Sequence, residues 1–208
     1  MLERKGGREA AKQETREALV AAALVEFGEH GLDAPSLDAI CARAGFTRGA
    51  FYVHFKDRDS LVVAAMERVL GAFFDAIIGR AGEASDLESS ITRFAGALLA
   101  MASLGLESPS GPPALGAVPL HRLLEACKRS TVIRQRFVGL LRDAIERLSK
   151  AAIAGQAARR VRADVDGEAL AELLAALAFG VLASREVGLP IEVDRMRRNV
   201  AMLLAPGR

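Results

Sequence analysis

Thr47, Arg48, Gly49, Tyr52, His54 and Lys56 set several hydrogen-bond donors around one residue that has no side chain. The Arg48 guanidinium is a planar fork that fits a guanine edge or a phosphate. Hydroxyl, phenol, imidazole and ammonium groups at Thr47, Tyr52, His54 and Lys56 are donors suited to phosphate oxygens. Gly49 costs helix stability where it stands, and its use would be to let a groove wall approach the backbone. Together these types suit recognition of a polyanion. The plain alternative, a core hairpin whose polar side is merely solvated, needs several independent local signals to coincide.

Those signals lie in the segment SLDAICARAGFTRGAFYVHFK, residues 36–56. Leu37, Ile40, Cys41 and Ala44 follow the i, i+3, i+4, i+7 pattern of one apolar helix face. Ser36 stands where an N-cap is needed, after Pro35, and Gly45 stands where a left-handed residue ends a helix. Thr47 is a second N-cap, and Phe46 and Phe51 flank it at the spacing of a hydrophobic staple. Phe51 and Phe55, four apart, are expected to be buried together, which turns Arg48, Gly49 and Tyr52 to another side. The pattern is a helix-turn-helix.

This stretch resembles the DNA-binding domain of the TetR family of bacterial transcriptional regulators. The resemblance runs from Thr15 to Leu61 and is carried by LVAAALVEFGEHG and SLDAICARAGFTRGAFYVHFKDRDSL, with AGFTRGAFYVHFK the most specific part. It covers about a quarter of the chain; the remainder is similar only in length and helical character. It implies that Ser36, Thr47, Tyr52, His54 and Lys56 contact phosphates and that Arg48 and Gly49 read bases. Arg43 and Arg58 are further, weaker DNA-contact candidates. Cys41 departs from the alanine common at that place in the motif and leaves the DNA surface intact.

Composition sets independent bounds. A chain of 208 residues with 51% hydrophobic content suits one or two compact domains. No Trp, one Tyr and abundant Ala, Leu, Arg and Glu favour helices over strands. Net charge is only +2, and residues 1–58 balance nine Lys plus Arg against nine Asp plus Glu. A nucleic-acid reading therefore rests on local placement of charge. The opening MLERKGGREAAKQE is polar and charged and is not expected to be a secretory leader. It is expected to form a flexible arm, whose Arg4, Lys5, Arg8 and Lys12 reach phosphates only as a secondary reading. The most apolar run, Leu173 to Ser184, is closed by Glu172 and Arg185 and reads as a buried helix, so no membrane partner is expected. Two distant cysteines, Cys41 and Cys127, offer neither a metal spacing nor a disulfide framework, and both read as structural thiols in a reducing cytoplasm. No cofactor is implied.

The rest reads as a string of helices, about nine in an all-α chain. Val20, Ala23, Leu24 and Phe27 mark the inner face of the first, closed by Gly31. Asp57 caps a fourth, and Ser85 with Glu88 has the spacing of a capping box. Residues 105–119 hold four of the seven prolines and three glycines and read as a loop. Further helices are expected near Leu120, after Ser130, after Asp166 with Val165 and Leu170 as its staple, and near Val193. Domains are expected at 1–58, an arm and helix-turn-helix, and at 59–208, a helical ligand-binding and dimerisation domain.

In the later domain periodicity leaves choices open. Leu170, Leu174, Leu177 and Val181, followed by Val193, Met196, Val200 and Leu203, form faces too wide for a single core contact. They suit either a central helix or a partner subunit; the resemblance implies a homodimer built on the last two helices, matching a palindromic operator. It likewise implies a small-molecule effector. Phe73, Phe94, Leu98, Met101, Leu124 and Phe137 are candidate apolar lining, with His121 and Cys127 as polar candidates, although an ordinary core uses the same residues. No phosphate loop, nucleophile elbow or paired metal motif points to an enzyme. The expectation is a cytoplasmic regulator acting on double-stranded operator DNA, a repressor released by a hydrophobic effector. A transcriptional activator of the same fold, or a helical interaction module without DNA binding, stands as the alternative.

Overall fold

The structure, a computed structural model, describes residues 2–79, 86–103 and 119–206, with side chains for 7–79, 86–96 and 119–206. Among these it is all-helical. The helices are α1 Leu2–His30, α2 Leu37–Ala44, α3 Arg48–His54, α4 Arg58–Ile78, α5 Leu87–Ser103, α6 Leu120–Arg129, α7 Thr131–Ala157, α8 Gly167–Glu186 and α9 Val193–Leu204. Two compact units divide the chain: Met1–Val69 with Ala117–Phe137, and Leu70–Gly116 with Val138–Arg208. This grouping differs from the partition at residue 58. It places α6 and the first turns of α7 with the helix-turn-helix, because they pack there and not with the helices that follow them in sequence.

In the first unit α1 packs on α2 and α3, and α2 on α3. The inward residues are those the periodicity selects: Leu19, Val20, Ala23, Leu24 and Phe27 of α1, Ile40 and Cys41 of α2, and Phe51 with Phe55. Ser36 accepts a hydrogen bond from the Ala39 N–H at 3.1 Å and starts α2. Gly45 ends it at φ +75°, a conformation other residues adopt only with strain. Thr47 then caps α3 by accepting from the Ala50 N–H at 3.2 Å. Asp57 and Ser60 cap α4 reciprocally, each side chain accepting from the other's N–H.

Two expectations are corrected here. Residues 2–12, expected to form a flexible arm, are the first turns of α1. The cap of α5 is not Ser85, which lies outside the described residues, but Asp86, whose carboxylate accepts from the Ser89 N–H at 3.0 Å and its hydroxyl at 2.8 Å. Those bonds hold the Asp86 carboxyl below its ordinary range. The residue-long difference arises because Asp caps as well as Ser, and both stand at the right place in the sequence. The expected loop at 105–119 falls, except for Pro119, outside the described residues.

The second unit is held by three apolar clusters. Leu87, Ala151, Ala152, Val161 and Leu170 join α5, α7 and α8, with Val165 and Leu174 against them. Ala95, Val181 and Val193 form a second, flanked by Phe94 and Met196. Ile77, Ile78 and Ala144 form a third, flanked by Phe73, Phe74 and Phe94. The end of α4 is capped from outside, since Arg93 donates to the Ile77 carbonyl at 2.7 Å and Arg147 to the Gly79 carbonyl. By length and a mean hydropathy of 1.6, α8 could cross a membrane, yet Leu170, Ala171 and Val181 are buried among the unit's own helices. Its apolar surplus is the exposed stripe that includes Leu173 and Leu177.

Candidate nucleic-acid interface

α3 is short, and its two faces differ completely. Phe51 and Phe55 are buried with ring centroids 5.5 Å apart, fixing the helix to the core. Tyr52 stands edge-on to Phe51 at 5.2 Å and is itself exposed, as are Thr47, Arg48, Gly49 and Lys56. The predicted cluster is thus brought to one surface by the burial of the two phenylalanines. His54 is half-buried, and burial, then the nearby cations Lys12 and Arg16, push its imidazole below the ordinary range. At neutral pH it is uncharged and offers one N–H.

Gly49 has no intramolecular reason to be glycine. A Cβ there would meet only the Thr47 hydroxyl, at an ordinary 3.6 Å, and its φ lies outside the left-handed region. The constraint that would make glycine useful lies outside the chain. Arg48 lies 3.5 Å from the Asp38 carboxylate by two of its nitrogens. Tyr52 and Asp38 both favour its charged form. A loose, exposed pair of this kind contributes little and is easily exchanged for another acceptor. Ser36 is exposed at the start of α2, its hydroxyl engaged as a cap.

The remaining two candidates have a different job. Arg43 donates at 2.6 Å to Glu26, which is buried, and at 2.6 Å to Glu29. It pairs with a buried carboxylate and ties α2 to α1, which is a structural role. Arg58 donates to the carbonyls of Pro35 at 2.5 Å and Leu32 at 2.6 Å, while its guanidinium sits 5.6 Å from the centre of the Phe27 ring. It staples the α1–α2 connection and is half-buried. The partners of both lie 14 to 26 residues away, so local sequence spacing could not reveal them.

The ligand candidates fall in both units. Phe73 and Phe94 belong to the second unit, with ring centroids 6.3 Å apart in its core. His121, Leu124, Cys127 and Phe137 belong to the first; His121 and Leu124 are exposed, Cys127 and Phe137 buried. Burial pushes the Cys127 thiol up, which favours its protonated form. Leu98 and Met101 fall outside the described side chains. The interface candidates also divide. Leu170, Val181 and Val193 are core residues of their own subunit, and Leu174 and Met196 pack beside them. Leu177 and Leu203 are exposed and Val200 half-buried. A period of 3.6 marks every apolar position alike and cannot separate a helix's inner stripe from its outer one.

Residues 19–65, which contain this whole arrangement, match the sequence profile of bacterial regulatory proteins of the tetR family. Over these residues the chain is similar to the tetR family. The transcriptional regulator AcrR of Shigella flexneri is 47% identical over 49 residues, 24% of this chain and 23% of AcrR. The matched stretch is therefore about a quarter of that relative's length. Likeness over the whole chain is one of fold. The reduced form of NemR from E. coli superposes with a TM-score of 0.72 at 18% identity, over 93% of this chain and 100% of NemR. SmeT, the repressor of a Stenotrophomonas maltophilia multidrug efflux pump, solved as a triclosan complex, has a TM-score of 0.65 at 22% identity, over 93% and 96% of the two chains.

Proposed function

We propose that the chain is a homodimeric, sequence-specific DNA-binding regulator, a repressor that leaves a palindromic operator when a small apolar effector binds. The observation that carries this is the exposed face of α3, where Arg48, Tyr52 and a glycine with no internal need to be glycine stand together on a helix fixed by Phe51 and Phe55. That face suits entry into a major groove: Arg48 toward base edges, Gly49 allowing close approach, Thr47, Tyr52, His54 and Lys56 on flanking phosphates. Ser36, at the capped start of α2, adds a hydroxyl to the same phosphate set.

Dimerisation is supported by the exposed apolar stripe of α8, Leu173 and Leu177, with Met202 and Leu203 of α9. A two-fold dimer presents two α3 helices to half-sites about one helical turn apart. The functional division follows: residues 1–58 carry DNA recognition and 59–208 carry effector binding and assembly, within the cytoplasm where the operator lies. The role is regulatory rather than enzymatic, as relatives named as regulators and a repressor support. Release requires the effector to bind unequally to two arrangements of the dimer, only one of which matches successive grooves. The triclosan complex of SmeT supports an apolar small molecule as the class of effector. Salt-dependent binding of duplex DNA by the purified full-length chain is the experiment that tests the reading.

A further inference from the structure

Arg8, Lys12 and Arg16 recur every four residues on α1. At about 100° per residue they fall within about 80° of arc. The same face, one turn further on, buries Leu19, Val20, Ala23 and Phe27. The inner face of α1 therefore does not end where the core ends; it continues toward the N-terminus and changes from apolar to basic. Glu14 and Glu17 lie on the far side, and Glu9 flanks the basic stripe. Arg8 and Lys12 are exposed, and neither they nor Arg16 forms an ion pair with a described residue.

The basic stripe is placed against the end of α3. The Arg16 guanidinium sits 5.3 Å from the centre of the Phe55 ring. Lys12 and Arg16 are close enough to His54 to lower its proton affinity. Lys12 and Arg16 thus bring two cations to the end of α3 without an ion pair to a described carboxylate. An external polyanion running past His54 would supply their counter-charge. From Arg8 to Arg16 the helix rises about 12 Å, a length over which duplex DNA presents several phosphates.

We propose that Arg8, Lys12 and Arg16 form a second DNA-backbone track, continuous with the α3 surface and reaching phosphates beyond the base pairs that α3 reads. The inference rests on the DNA-binding reading and extends it to a helix outside the helix-turn-helix. The stripe adds affinity and salt dependence without adding base preference, because phosphates are alike in every sequence.

The test uses full-length protein and a duplex enriched from a random-sequence library by the wild-type chain. The double variant Arg8→Gln, Lys12→Gln removes two charges and leaves the Arg16–Phe55 packing in place. Its slope of log K against log salt should be shallower by about 0.9 for each phosphate that is no longer neutralised. Hydroxyl-radical protection should vanish at flanking backbone positions while the enriched base preference stays the same. Arg8→Lys with Lys12→Arg should restore the slope. An unchanged slope and footprint in the double variant, with the wild type binding normally, overturns the second track and leaves the α3 reading intact. Loss of binding to anionic vesicles with duplex binding unaltered overturns it in favour of a membrane surface. Failure of the wild type to enrich or bind any duplex overturns both.

Discussion

Arg48 and the two arginines that look like it in sequence show how much a side chain's role depends on its acceptors. Arg43 and Arg58 have short bonds to a buried carboxylate and to backbone carbonyls; Arg48 has exposed partners, Tyr52 and a 3.5 Å pair with Asp38. Only the last is available to an incoming base. Arg48→Ala should therefore weaken binding by about 1–3 kcal/mol per half-site and relax preference at one base position, measured by competition among single-base operator variants. Equal weakening against every variant would reassign Arg48 to a phosphate. The donor cluster itself is readable from sequence, because caps, a left-handed glycine and an i, i+4 aromatic pair are all local features. The inward roles of Arg43 and Arg58 are not, since Glu26, Leu32 and Pro35 come to them only through tertiary packing. Arg16 is hidden for a related reason: its place beside Phe55 and His54 comes only through tertiary packing.

Helix junctions, more than helix interiors, hold the DNA-reading head in shape. The connection between α1 and α2 is gripped twice, by Arg58 on the carbonyls of Leu32 and Pro35 and by Arg129 at the end of α6, which places one nitrogen 2.6 Å from each Asp33 oxygen. The two grips differ in environment. Removing Arg58 strands carbonyls in a partly buried site, whereas the Arg129 pair is exposed on both sides. Urea denaturation should therefore show Arg58→Ala destabilised by about 1–3 kcal/mol. Arg129→Ala should stay within about 1 kcal/mol of the parent. Losses of equal size would mean that burial does not distinguish them and that Arg58 is not the staple described. Most element boundaries follow from capping chemistry that sequence displays, as at Ser36, Thr47, Asp57 and Asp166. The one misplaced cap, Ser85 for Asp86, shows the limit: two good capping residues in succession leave the choice to tertiary packing.

Among the described residues, α8 carries more apolar surface than its own core covers. In α8, Leu170 and Val181 are buried while Leu173 is 65% exposed, although all are apolar positions at helical spacing. This is why sequence marks the helix as unusually apolar without separating its interface residues from its core. Leu173→Glu should leave the subunit's helical circular dichroism and melting temperature near those of the parent while sedimentation shows loss of the dimer. Val181→Glu, placing a charge in the core, should lose the fold itself. An intact dimer in Leu173→Glu would move the interface off this stripe. Effector binding is the least readable property, since Phe73, Phe94 and their neighbours serve as core whether or not a ligand is accommodated. The central claim is that the exposed α3 surface exists to meet duplex DNA, and salt titration of duplex binding by the 208-residue chain addresses it most directly. Log K should fall linearly with log salt, by about 0.9 for each phosphate neutralised. Absence of binding at low salt, or affinity that does not change with salt, would contradict the account.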